Sequence, residues 1–207
     1  MLAIIQARTN SKRFKNKVLE PIYGRSMIFH VCERVKKSKR VKKTIVATSS
    51  NKSDTKLVIH LKKMKIETFR GNLNNVAKRF LKLAKIEKAK YFLRISGDSP
   101  LIDSKIIDHA CKFLSKNENK YDLITNIFPR TFPKGQSVEI VKTTTLEKHI
   151  TKFTEDEKEH VTKYFYKNAK KFKIKNFYYN GKKKEIDQSV DYKKDLILIK
   201  KKFKNKF

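Results

Sequence analysis

The 207-residue sequence predicts an α/β fold with a mixed, mostly parallel central sheet and helices on both faces. Three observations predict it. Short apolar runs alternate with longer amphipathic segments from the first residues onward. The short runs are rich in Ile, Val, Leu and aromatic residues, as strands covered on both faces are. The longer segments repeat apolar residues at i, i+3 and i+4, the spacing of one helix face. Glycine and proline are scarce, at 5 and 4 residues, and no linker or internal repeat interrupts the pattern. One domain over residues 1–207 is therefore expected.

The elements follow in order. Residues 2–5 form a buried strand that runs into a basic loop. Met27, Ile28, Val31 and Val35 mark a helix ending near Ser38, with Ser26 as its expected cap. Residues 44–48 make a second strand, and Leu57 and Leu61 the next helix. A short strand at 66–69 meets a turn at Arg70-Gly71-Asn72. Leu73, Val76, Ala77, Phe80, Leu81 and Ala84 form one apolar helical stripe. Residues 91–96 are β-branched and aromatic, hence a strand, and it breaks at Gly97-Asp98-Ser99-Pro100. Ser104 is the expected cap of a helix facing inward through Ile106, Ile107, Ala110, Cys111 and Leu114. Residues 122–125 form a strand, 128–135 a loop, and 137–141 a strand that pairs back. Helices at about 144–150 and 155–167, a strand near 172–179 and a helix through Leu196, Ile199 and Phe203 complete the chain.

The charge balance is strongly basic, with 52 Lys+Arg against 20 Asp+Glu and a net charge of +32. Such a surplus favours polyanions. The lysines nevertheless run through nearly every segment, as a coding bias would place them, so no specific nucleic-acid partner is expected. Cys32 and Cys111 each fall on the apolar side of a helix and read as small core residues in a reduced compartment. No run approaches the ~18 apolar residues of a membrane span, and the first strand is too short for a secretory signal. A cytoplasmic protein with no membrane partner is expected.

Several phosphate-binding and catalytic signatures are missing: G-x-G-x-x-G, G-x-x-x-x-G-K-[ST], G-x-S-x-G and any zinc-spaced Cys/His cluster. Two constellations remain. Arg8, Lys12, Arg13, Lys15 and Lys17 crowd the loop after the first strand, where open α/β sheets bind ligands. A solvated basic loop is the plain alternative. Asp98 stands just past a central strand beside Gly97, and Asp191 lies in Ser189-Val190-Asp191 before the last helix. Each is either a helix cap or half of a carboxylate pair able to hold Mg²⁺ with a triphosphate. His30, His60, His109 and His149 show no ligand spacing. Asp54 and Asp108 stand alone, and no D-x-D pair closes a strand. The aromatics at 164–179 read as core and subunit interface.

Residues 4–17 with Val18-Leu19 resemble the signature of the sugar cytidylyltransferases, in which a strand ends in Ala-Arg followed by spaced Ser, Arg and Lys. Here these are Ala7, Arg8, Ser11, Arg13 and Lys17. The resemblance continues collinearly through Val46-Ala47-Thr48-Ser49, Arg70-Gly71, residues 94–103, Thr131-Phe132-Pro133-Lys134-Gly135, Val138-Glu139, Glu159-His160-Val161-Thr162 and Ser189-Val190-Asp191. It is strongest to the branch named for spore coat polysaccharide biosynthesis protein F. It implies a Rossmann-like glycosyltransferase-A type nucleotidyltransferase fold, transfer of CMP from CTP to a sugar for surface-glycan synthesis, Mg²⁺, and a homodimer. Residue by residue it implies Arg8, Ser11, Arg13 and Lys17 at the triphosphate, and Ala7 and Thr48 near the nucleoside. Arg94 and Gly97 would frame the nucleotide pocket, and Asp98 and Asp191 would hold the metal. Phe132, Gly135, Glu139 and His160 would face the acceptor. Arg8, Lys17 and Asp98 are the expected catalytic set. Two departures fall on the acceptor side. Asn75 replaces an aspartate before Val76, and Gln136-Ser137 replaces Leu-Asp before Val138. The alternatives are a glycosyltransferase-A domain that uses a nucleotide-sugar or has lost activity, and a basic nucleic-acid-binding protein.

Overall fold

The computed structural model describes residues 1–179 and 186–207. In chain order the elements are β1 (Leu2–Gln6), the hairpin β2 (Pro21–Ile22) and β3 (Arg25–Ser26), α1 (Met27–Lys36), β4 (Lys43–Ser49), α2 (Thr55–Lys63), β5 (Thr68–Gly71), α3 (Val76–Ile86) and β6 (Tyr91–Ser96). They continue with α4 (Ser104–Lys116), β7 (Leu123–Thr125), β8 (Glu139–Lys142), α5 (Thr143–His149), α6 (Glu155–Glu159), α7 (Lys163–Lys167), β9 (Ile174–Asn176) and α8 (Lys193–Lys202).

Seven strands form one sheet in the order β5-β4-β1-β6-β8-β7-β9. All run parallel except β8, which is antiparallel to both neighbours. Chain connection steps outward from β1 to β4 and β5, then returns to the opposite side of β1 with β6. The crevice beyond the carboxyl ends of β1 and β6 is therefore a topological switch point, the usual ligand site of such sheets.

Alternation along β1 sends Ala3 and Ile5 to one face and Leu2 and Ile4 to the other. The first face is covered by α1, α2 and α4 through Val31, Leu57, Leu61, Ile107 and Ala110. The second is covered by α3, α5 and α7 through Phe80, Leu83, Leu146 and Phe165. A third cluster of Ile22, Met27, Leu101, Val190, Leu196 and Ile199 holds α8 against the hairpin. Cys32 and Cys111 are free and buried. Burial pushes their thiols up, to about 12 and about 11, so neither is a reactive thiolate.

Local chemistry moves several boundaries from the sequence expectation. Ser26 makes no cap bond; its hydroxyl meets His60 Nε2 at 2.8 Å instead. The cap of α4 is Asp103, one residue before Ser104, and its carboxylate accepts from Lys105 N. Helix α3 starts at Val76 because Asn75 caps it by accepting from Lys78 N at 2.7 Å. The expected helix over 155–167 is two short helices, broken at the non-helical His160.

Candidate functional site

The loop after β1 is held by a residue that sequence reading left alone. Asp54 is fully buried. Its carboxylate accepts from Thr9 N at 2.7 Å, Thr9 Oγ1 at 2.8 Å and Ser49 N at 3.1 Å, and from the Ser49 hydroxyl. Burial pushes this carboxyl up, but the Ser49 and Thr9 donors outweigh burial and hold it below the ordinary aspartate value. Asn16 N closes the loop onto Thr9 O at 2.7 Å, with Asn16 itself left-handed at φ 62°. Asp54 thus anchors the root of the loop that carries the cations.

Lys17, at the far end of that loop, is the meeting point. Its Nζ lies 2.7 Å from Asp98 Oδ2, 2.7 Å from Val190 O and 3.3 Å from Asp191 Oδ1. Asp191 also accepts from Arg13 Nη2 at 2.5 Å. Three distant segments converge here: the loop after β1, the end of β6, and the strap before α8. Val190 N donates to Asp98 O at 2.9 Å, which fastens the strap to the β6 end. Neither aspartate caps a helix. The cap of α4 is Asp103, and at α8 it is Asp195 that accepts from Tyr192 N. Both carboxylates are free of capping duty and face the cations.

Gly97 is demanded by packing. A Cβ there would lie 2.7 Å from Gln6 O and 3.0 Å from Ala7 Cβ. Only glycine lets the end of β6 close against the end of β1, and that closure sets Asp98 opposite Lys17.

A second, buried network sits deeper between β6 and β8. Arg94 is ion-paired to Glu139 and donates to Gln6 Oε1 at 3.2 Å. The other Glu139 oxygen accepts from Thr162 Oγ1 at 2.7 Å and Tyr166 OH at 2.6 Å. Burial pushes the Glu139 carboxyl up, but the Arg94 charge and the two hydroxyls prevail and hold it below the ordinary glutamate value. Tyr166 is pushed far the other way, by burial and by the Glu139 charge. Nearby, Glu159 at the end of α6 pairs with Arg8 at 2.5 Å.

The expected site residues divide accordingly. Arg8, Arg13, Lys17, Asp98 and Asp191 are brought to the switch point, with Ser11 partly exposed on the same loop. Ala7 and Thr48 lie buried at the ends of β1 and β4. Lys12 and Lys15 are exposed and make no ion pair among the described residues. The acceptor-side set is not assembled on a common surface. Glu139 is fully buried and engaged, so its carboxylate offers nothing to a ligand. Phe132 packs against Phe177 and Tyr179. Gly135, at φ +88°, leaves no room for a Cβ beside the Gln188 backbone. Of these four, His160 alone is exposed.

Sequence reading also missed Arg79. It is 1% exposed on α3, gives Nη1 to Asn72 O at 3.0 Å, and keeps Nε without a partner. Burial lowers its pKa to about 10, with Asp54 only partly compensating. Its signal was hidden because an arginine within a lysine-rich helix looks solvated.

Among the described residues, no group of three or more His, Cys, Asp or Glu is arranged to hold a metal. The Asp98–Asp191 pair is a two-carboxylate donor set. That fits a cation such as Mg²⁺, which completes its shell with phosphate oxygens and water.

A sequence profile described as cytidylyltransferase matches residues 2–203. The uncharacterized protein MJ1063 of Methanocaldococcus jannaschii is 37% identical over 175 residues, 84% of this chain and 70% of its own length. Spore coat polysaccharide biosynthesis protein SpsF of Bacillus subtilis is 28% identical over 180 residues, 84% of this chain and 73% of its own. A 3-deoxy-manno-octulosonate cytidylyltransferase of Geotalea uraniireducens is 32% identical over 117 residues, 56% of this chain and 46% of its own. Among solved structures, a cytidylyltransferase from Leptospira borgpetersenii superposes with a TM-score of 0.91 at 31% identity, covering 96% of this chain and 84% of that one.

Proposed function

Since the chain belongs to the cytidylyltransferase family, we propose that it transfers CMP from CTP to an acidic sugar or sugar phosphate, releasing pyrophosphate. The observation that carries this reading is the convergence of Lys17, Asp98 and Asp191 at the switch point, flanked by Arg8 and Arg13. A polyanion that also needs a cation calls for this mixture of both charges. The names of two relatives support the choice of acceptor class. One is named for 3-deoxy-manno-octulosonate, an acidic sugar, and another for a coat polysaccharide.

In the proposed reaction a sugar oxygen attacks the α-phosphorus of CTP. The bond between the α- and β-phosphates breaks, and pyrophosphate leaves. Catalysis of this kind rests on positioning and charge neutralisation. Arg8 and Arg13 exchange their carboxylate partners for phosphate oxygens, with Ser11 beside them. Lys17, at the far end of the loop, meets the charge that develops on the leaving pyrophosphate. Asp98 and Asp191 would hold Mg²⁺, which when bound supplies further neutralisation at the phosphates. Arg94 is oriented by Glu139 toward the β1 end, and that deeper pair shapes the pocket rather than the acceptor surface. A homodimer completes the proposal.

The test is direct. In the presence of Mg²⁺, CTP should raise the thermal midpoint more than ATP, GTP or UTP. A screen of acidic sugars and sugar phosphates should then reveal CTP-dependent pyrophosphate release. Equal response to all four nucleotides, with no release from any acceptor, would discard the reading.

A further inference from the structure

Helix α8 carries apolar side chains on two faces. Leu196 and Ile199 are buried in the cluster with Ile22, Met27 and Leu101. Ile197 and Leu198 point outward, 59% and 37% exposed. At 3.6 residues per turn, Lys194, Ile197, Leu198 and Lys201 fall at i, i+3, i+4 and i+7, a single stripe opposite the buried pair. Lys193, Lys202, Lys204 and Lys206 are exposed around it. Tyr23 borders the same region, its hydroxyl donating to Lys200 O at 2.5 Å. From Tyr192 onward the one acid is Asp195, and its carboxylate is occupied by the N–H groups of Asp191 and Tyr192. The segment therefore presents two aliphatic side chains ringed by lysines that it does not itself neutralise.

We propose that the outer face of α8 docks the protein on the surface of an anionic lipid bilayer. Each feature of the stripe fits that occupant. Aliphatic side chains enter the headgroup boundary, while lysine stems lie along the apolar region and their ammonium groups reach the lipid phosphates. The lysines add attraction to the negative surface potential. A second copy of this chain fits poorly, because a two-fold contact would set these lysines against the same lysines. Single-stranded nucleic acid fits less well than lipid, since it is gripped by free aromatic faces. Here the centre of the stripe is aliphatic, and the Tyr192 ring already carries the Arg13 and Lys194 cations at 5.5 and 5.6 Å. No helix of the described residues is long and apolar enough to cross a membrane, so α8 lies on the bilayer.

Vesicle co-sedimentation of the full chain tests this. The protein should pellet with phosphatidylcholine vesicles containing phosphatidylglycerol and stay in solution with phosphatidylcholine alone. Ile197→Ser combined with Leu198→Ser should weaken that binding roughly tenfold without altering the circular dichroism. Lys194→Glu with Lys201→Glu should weaken it more than Lys62→Glu with Lys63→Glu, an equal charge change on α2. Unchanged binding by the serine variant, or equal loss from the two glutamate variants, overturns the proposal in favour of diffuse charge. So does preferential capture of single-stranded RNA that depends on Lys194 and Lys201. A lipid-free dimer that the serine substitutions dissociate in sedimentation velocity would assign the face to self-association and overturn it as well.

Discussion

Lys17 satisfies its ammonium with two carboxylates and a carbonyl, and the environment of each partner explains why it is available. Asp98 is spared from capping because Asp103 caps α4. Asp191 is spared because Asp195 takes the backbone donors before α8. The sequence places all four aspartates near helix starts and does not say which pair caps. Hydrogen-bond geometry divides them. With CTP and a competent acceptor, Asp98→Asn is expected to cut pyrophosphate release about a hundredfold or more while the circular dichroism is unchanged. Retained full activity would remove Asp98 from the reaction. Glu139 teaches the converse. Its position matched an acceptor motif, yet the folded chain spends its carboxylate on Arg94, Thr162 and Tyr166.

At the level of elements, the amphipathic stripes located the long helices among the described residues, and the short apolar runs located the strands of the large sheet. They failed at ends and breaks, where side-chain hydrogen bonds to backbone decide. Helix α3 is the clearest case. The apolar stripe reached back to Leu73, but Asn72 and Asn75 accept backbone N–H groups and delay the helix to Val76. Asn75, which the resemblance sets in place of an aspartate, therefore keeps the cap. Asn75→Ala should lower unfolding stability by about 1 kcal/mol in urea titration, whereas Asn75→Asp should leave it nearly unchanged. An equal loss in both would deny the capping role. The same reasoning explains Gly97, whose need appears only when β6 is set beside β1.

Across the whole molecule, two buried carboxylates couple the fold to pH. Asp54 roots the basic loop, and Glu139 joins β6 and β8 to α7. Both are held below their ordinary values in the folded chain. Above the ordinary carboxylate range both are ionised in either state, so their stabilisation is complete. As pH falls through that range the unfolded chain takes up protons first, and the stabilisation is lost progressively down to the folded values. The thermal midpoint should therefore drop steeply on acidification. Glu139→Gln, already less stable near neutrality because Arg94 loses its partner, should show a shallower drop. Parallel curves for the two proteins would contradict the linkage. The net charge of +32 adds self-repulsion throughout.

Periodicity and composition alone determined the α/β class, the alternation of the main strands and helices, the inert cysteines and the basic loop after β1, because each is a local property of the chain; the short hairpin β2–β3 and the break between α6 and α7 were not legible there. Family resemblance added the matched cations and acids one by one. Only the tertiary structure decided that Lys17, Asp98 and Asp191 meet, that Asp54 is an anchor, and that Glu139 faces inward. Those facts depend on residues tens of positions apart being closed on one another by the order of strands, and no window of sequence contains that closure.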